Sequence, residues 1–395
     1  MRGRSEGGRA PFPRGYWTVW TTVALDLVGF GIIAPILPLY AERFGASPTT
    51  IGFLFASYSA AQFVFAPILG RLSDRIGRKP VILISLFGTA VGSLVTGVAG
   101  AVWVLFVGRI IDGASGASVS VAQGAVTDLT APADRARALG LLGAAFGVGF
   151  VVGPALGGLA ELGGAHIPFF VAGAIALVNG IVAIRRLPET HLDRAPAVGR
   201  VARGERSTLR RFVVVAFLAT ASFASFEATF SLLANRRFDL GPGAVSVVFV
   251  VIGLFLVAVQ GGVVGRVTAR LGPLNALRTS LFVIAVGLAM LGVATRWAVL
   301  VPALALLVLG QGISTPTIAA LVANRADHRR RGGALGAQQS AGALARVVGP
   351  AAGGALFHHV GIPAPYLIGA ALVALAAVTL SLDREPQQTP SGVPS

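Results

Sequence analysis

Five ionisable side chains lie deep inside long apolar runs of this 395-residue chain: Asp26, Arg109, Asp112, Glu227 and Arg346. A charge at such depth costs about 2.5–3.5 kcal/mol on membrane-insertion scales, so each marks a functional-site hypothesis. Asp26 lies mid-way along Leu25-Asp26-Leu27-Val28-Gly29-Phe30-Gly31-Ile32-Ile33-Ala34-Pro35-Ile36-Leu37-Pro38. A carboxyl group held in a low-dielectric cavity can take up and release a proton near neutral pH. The plainer alternative is a structural partner for an arginine or a backbone donor. Arg109 and Asp112 stand three residues apart, close enough on one helical face to pair. That pair either only neutralises itself or handles charge. Arg346 has no carboxylate within four residues, and a guanidinium stays protonated at any physiological pH. Its anion must come from another helix, with Glu227 nearest by topology and Asp26 second, or from a bound solute. The amides Gln62, Gln123, Asn179, Gln260, Gln311, Gln338 and Gln339 either bridge helices or hydrogen-bond a solute.

Elements that hold charges at such depth must themselves be apolar. Hydrophobic residues make up 54% of the chain, charged ones 12%, and mean hydropathy is +0.78, the balance of a polytopic membrane protein. Apolar runs predict twelve helices, near 17–38, 50–70, 80–99, 102–126, 137–160, 167–186, 212–234, 244–266, 275–295, 298–322, 333–356 and 363–381. The expected fold class is therefore all-α, with twelve transmembrane helices in two six-helix halves. The tail 1–16 has no cleavable signal layout, so the first helix is expected to stay. Of the 32 Lys and Arg residues, only Arg43, Arg236, Arg237 and Arg296 fall on one set of loops, and nearly all the others fall on the opposite set. This asymmetry predicts both termini in the cytoplasm of a cell (inner or plasma) membrane protein. The expected organisation is a tail 1–16, a bundle 17–186, a linker 187–211, a bundle 212–382 and a tail 383–395.

Several function classes recede on composition. The net charge of +16 could suit nucleic acid, but the arginines sit in short loops and not on one face, so no nucleic-acid partner is expected. No cysteine is present and only five histidines are, which argues against redox chemistry, a metal site or any cofactor. No glycine-rich phosphate loop ends in lysine and Ser or Thr, and Lys79 is the only lysine, so energy should come from an ion gradient. A membrane-embedded enzyme would need a nucleophile with a base at membrane depth, whereas His358 and His359 are expected on an outer loop. The chain is not expected to be an enzyme.

The halves repeat. Ala138-Leu139-Gly140 and Val151-Val152-Gly153-Pro154-Ala155-Leu156-Gly157-Gly158 recur 196 residues later as Ala334-Leu335-Gly336 and Val347-Val348-Gly349-Pro350-Ala351-Ala352-Gly353-Gly354. The polar run Gly70-Arg71-Leu72-Ser73-Asp74-Arg75-Ile76-Gly77-Arg78-Lys79-Pro80 reads as a tight loop between two apolar stretches, and recurs weakly as Gly265, Arg266, Arg270 and Gly272.

That polar run, with Gly70, Asp74, Arg75, Gly77 and Arg78, resembles motif A of the major facilitator superfamily. Gly108-Arg109-Ile110-Ile111-Asp112-Gly113 resembles motif B, whose arginine the family links to proton transfer; the aligned residue in the second half is Gln311. Gly149-Phe150-Val151-Val152-Gly153-Pro154-Ala155-Leu156-Gly157-Gly158 resembles motif C, the family's antiporter motif, with plain helix packing as the other reading. The run around Asp26 is similar to the first helix of tetracycline and multidrug proton antiporters. The resemblance covers nearly the full chain and implies a drug:proton antiporter. Such a protein exports an amphipathic organic compound in exchange for protons by alternating access, in the manner of antibiotic-resistance efflux. Its expected partners are a small-molecule substrate, protons and the lipid bilayer, and the expected state is a monomer. The alternative on the same fold is a proton-coupled importer or facilitator of a sugar, siderophore or metabolite.

Overall fold

The computed structural model describes residues 12–116, 118–130, 134–190, 206–325 and 331–381. Residues 1–11 of the first tail, the whole tail 383–395 and residues 191–205 of the linker lie outside the described residues. Among the described residues every regular element is a helix, and ten helices are long and apolar enough to cross a membrane.

Helix α1 (Arg14–Ile33) stops short of the expected end at 38, because Pro35 has no amide hydrogen to donate; a turn over 34–36 leads into the short α2 (Leu37–Glu42). Helix α3 (Pro48–Ile76) is started by Pro48 and by the Ser47 hydroxyl, which accepts from the Thr50 amide at 3.2 Å. It runs on through the polar residues expected to form a loop. Only Gly77, at φ 102°, separates it from α4 (Arg78–Gly97). The hydrophilic run is thus the end of one helix, a one-residue hinge and the start of the next. The reason is that a left-handed glycine reverses the chain without needing more residues.

The expected helix 102–126 is two pieces, α5 (Val102–Ser115) and α6 (Ser118–Leu129). The break exposes the Gly116 carbonyl, which accepts from Gln62 Nε2 of α3 at 2.8 Å. Helices α7 (Arg135–Glu161) and α8 (Ile167–Arg186) complete the first half. The second half comprises α9 (Arg206–Phe238), α10 (Pro242–Ala258), α11 (Val264–Leu271), α12 (Pro273–Val293), α13 (Trp297–Arg325), α14 (Arg331–His359) and α15 (Ala364–Ser381). A π turn over Val259–Val263, holding Gln260, joins α10 to α11, so this crossing extends past the expected 244–266. His358 and His359 end α14 instead of lying on a loop. With α1–α2, α5–α6 and α10–α11 each taken as one crossing, the described residues make twelve crossings, six in each half.

The repeat is visible in the backbone. Gly272 precedes α12 at φ 76° as Gly77 precedes α4 at φ 102°. The halves meet through α3 against α14 and α7 against α10. One apolar core runs across both halves: on the face remote from Gly77 it joins Ile36, Leu37 and Phe55 to Phe226, Phe230 and Phe249, and within the second half it continues to Phe212, Leu274 and Leu380. A second core, including Tyr16, Val81, Leu86, Val121 and Leu142, belongs to the first half alone on the Gly77 face. The protein is therefore closed on one face, with its halves joined by a shared core there and packed separately on the other.

Candidate functional site

The first-half charges gather where α1, α3, α4 and the α5–α6 break meet. The Asp26 carboxylate on α1 accepts from the Ser118 hydroxyl at the start of α6. Arg109 Nη1 donates to Asp112 Oδ2 at 3.0 Å, and both residues are buried. The Asp112 carboxylate also accepts from Thr89 of α4. The guanidinium of Arg109 stacks 4.2 Å over the Tyr58 ring of α3, and its Nε has no hydrogen-bond partner among the described residues. The pairing of Arg109 with Asp112 is legible from their spacing. Ser118, Thr89 and Tyr58 are not, because each comes from another helix; the only local signal was a hydroxyl just after the glycines at 113 and 116.

The second-half charges are arranged differently. Among the described residues no ion pair within 4.0 Å joins Arg346 to Glu227 or to Asp26, although Arg346 lies within electrostatic reach of Glu227 and of Tyr58 across the seam. Of the two anions the sequence left open for Arg346, a carboxylate on another helix or a bound solute, the first is not in ion-pair contact: Arg346 is exposed at the seam, while Asp26, Tyr58, Gln62, Glu227, Gln311 and Gln338 around it are half-buried. A guanidinium at membrane depth is tolerated here because it lines an open vestibule. One carboxyl oxygen of Glu227 and the side-chain carbonyl oxygens of Gln311 and Gln338 are buried without hydrogen-bond partners among the described residues. Gln311 Nε2 is only weakly satisfied, by Thr315 Oγ1 at 3.3 Å. Such atoms are acceptors with capacity to spare.

Motif A is a closed electrostatic cluster on the open face. Arg78 Nη1 lies 2.6 Å from both Asp74 Oδ1 and the Ser73 hydroxyl, and its Nε lies 3.3 Å from Asp128 Oδ2 of α6. Glu189, three residues past α8, accepts from the backbone amides of Arg78 at 2.8 Å and Lys79 at 3.2 Å. This carboxylate caps the amino end of α4, where orphan amides and the helix dipole favour an anion. It also fills the space a side chain at Gly77 would occupy. Gly70, Arg71 and Arg75 are exposed helical positions beside this cluster or half-buried ones.

Motif C is a contact surface. A methyl group on Gly149 would lie 2.7 Å from the Leu27 carbonyl oxygen, and one on Gly153 would lie 2.6 Å from Gly31 Cα, so α7 and α1 touch backbone to backbone one turn beyond Asp26. Gly157 lies against Ile32 of the same helix. Gly158 faces Ser246 of α10, across the seam between halves, and Pro154 lies within an unbroken α7. In the second half Gly349 and Gly353 pack on Ala221 and Ser225 of α9, while Gly354 packs on Gly52 of α3.

Two helical bundles, joined on one face and open on the other over a seam of charged and amide side chains, define a carrier of the alternating-access type. The family model for the Major Facilitator Superfamily matches residues 19–329 and 213–394, and the chain belongs to that superfamily. It is 33% identical over 341 residues to the class C tetracycline resistance protein of Escherichia coli, covering 83% of this chain and 86% of that protein. It is 25% identical over 374 residues to multidrug resistance protein 2 of Bacillus subtilis (strain 168), covering 92% and 93%. The crystal structure of the human organic anion transporter MFSD10 (TETRAN) superposes with a TM-score of 0.72 at 26% identity, covering 93% of this chain and all of that one. The nucleoside transporter NupG, at 14% identity and a TM-score of 0.75 over 94% of this chain and 99% of that one, shares the fold.

Proposed function

We propose that this protein is a drug:proton antiporter, exporting an amphipathic organic compound in exchange for protons. The observation that carries the reading is Asp26: a half-buried carboxyl group mid-way along α1, held by a hydroxyl from another helix and backed by the glycine contacts of motif C. Its first-half neighbours Arg109 and Asp112 form a fixed charge pair that biases the protonation of Asp26 without leaving the helix. The unsatisfied acceptors of Glu227, Gln311 and Gln338 offer a donor-bearing solute its contacts, and Arg346 offers an anion its own. The resistance proteins among the relatives support a drug as cargo. The arginine distribution supports cytoplasmic termini, which makes the open face the cytoplasmic one and this conformation inward-facing. Residues 17–186 and 212–382 would be the two rocking units, the stretch 187–211 their linker, and a monomer the working unit.

The test is tetracycline uptake into inside-out membrane vesicles energised with a proton gradient. Uptake should collapse with an uncoupler, and Asp26→Asn should abolish it with the protein still in the membrane. Gradient-driven uptake that survives in Asp26→Asn would end the reading. A second reading, export of an organic anion, is favoured by the exposed Arg346, which makes no ion pair among the described residues; it would show as uptake of acidic but not of neutral or cationic dyes in the same vesicles.

A further inference from the structure

Away from the seam, a cavity of about 380 Å³ opens between α9 and α15 at the end of the molecule that carries Gly77. Arg210 and Arg211 stand at its mouth with Thr379, and Val214, Leu218 and Leu375 line it, over a floor of buried Val215 and Ala376. Arg211, Val214, Val215 and Leu218 are spaced to share one stripe of α9, so the groove descends from the guanidinium into the apolar span for about 10 Å along the helix. Val214 is 49% exposed and Leu375 57%, and in a membrane protein such side chains face acyl chains. The polar end therefore lies at the membrane interface and the apolar end inside the hydrocarbon.

We infer that this groove is a binding site for one anionic phospholipid, with its phosphodiester on Arg210 and Arg211 and one acyl chain laid along Val214, Leu218 and Leu375. Three features select this occupant. Among the described residues no carboxylate forms an ion pair with Arg210, so its charge is available to an exogenous anion. A guanidinium such as that of Arg210 presents a planar fork of donors that matches phosphate oxygens, and Arg211 beside it adds a second positive charge at the same helix end. The apolar groove beneath excludes a free phosphate as the natural ligand, because such an ion would leave Val214, Leu218 and Leu375 unused. A zwitterionic headgroup would place its own cation against the arginines. Basic pockets between membrane helices recognise acidic headgroups on these same terms.

The experiment is native mass spectrometry of the delipidated full chain, titrated with phosphatidylglycerol, phosphatidylcholine of the same acyl chains, or soluble glycerol phosphate. Phosphatidylglycerol should bind about tenfold or more tighter than phosphatidylcholine. Arg210→Gln with Arg211→Gln should erase that preference by weakening phosphatidylglycerol alone. Thr379→Trp, which fills the mouth and keeps both charges, should weaken phosphatidylglycerol as well; it keeps the question decidable if the charge variants fold poorly. Equal binding of the two lipids by the unaltered chain, or a preference that survives the double substitution, would overturn the proposal. Displacement of phosphatidylglycerol by equimolar glycerol phosphate, or full binding in Thr379→Trp, would reduce the site to a bare anion patch and overturn it too.

Discussion

Asp26 and Glu227 are the carboxyl groups that the seam leaves most differently satisfied. Asp26 is held by Ser118, so its position is fixed by a side chain on another helix. A hydrogen bond to a charged group contributes roughly 1.5–3 kcal/mol. Ser118→Ala should therefore slow proton-driven transport about tenfold without changing the amount of protein, as measured by initial uptake rates normalised to membrane content. Glu227 has an oxygen with no partner and an arginine within reach but outside ion-pair distance. Because no ion pair within 4.0 Å joins Arg346 to Glu227 among the described residues, neutralising Arg346 breaks no direct pair. Arg346→Gln and Glu227→Gln should each reach normal membrane levels on immunoblots. The double variant should show no rescue of expression, because none is lost. A recovery in the double variant relative to both singles would instead reveal a stabilising pair.

At the scale of elements, the Gly77 hinge is held by two carboxylates with separate tasks. Asp74 engages Arg78 along the surface and is largely exposed, so it contributes little to stability in this conformation. We propose that it acts in the opposite state, where it can tie the facing bundle. Asp74→Ala should lower turnover while substrate affinity stays within a few-fold. Glu189 instead caps α4 in the conformation seen here, and losing a cap typically costs about 1 kcal/mol. Glu189→Ala should lower the melting temperature of the detergent-solubilised protein by a few degrees. A lower melting temperature in Asp74→Ala and none in Glu189→Ala would reverse these assignments.

At the scale of the whole molecule, the shared apolar core on the closed face is the gate. Arg236 Nη2 of α9 meets Glu42 Oε1 of α2 at 3.0 Å across the halves, and the Ser231 hydroxyl donates to the Pro35 carbonyl at 2.9 Å. Alternating access requires these contacts to part during each cycle. The chain has no native cysteine, so a pair placed at Glu42 and Arg236 can be joined cleanly by a short bifunctional thiol reagent. The joined protein should lose transport, and a reducible reagent should return it on reduction. Full transport by the joined protein would mean that this face does not open.

What the sequence determined by itself was set by local physics. Long apolar runs have to be helices in a bilayer, where every backbone group must be satisfied internally, and the 196-residue recurrence around Pro154 and Pro350 made the two halves visible without a partner sequence. The Arg109–Asp112 pair was legible because three residues along one helix already make neighbours. Other features were decided only by the tertiary structure, because they depend on separate helices arriving at one point. They include the Ser118 hydroxyl on Asp26, the Glu189 cap on α4 and the Gly116 carbonyl, freed by the helix break, to which the Gln62 amide donates. Arg346 shows the difference most plainly. Sequence alone left the anion for a guanidinium among apolar residues open between another helix and a bound solute; the packing of the two bundles put Arg346 at an exposed position of the seam, outside ion-pair distance of Glu227 and Asp26.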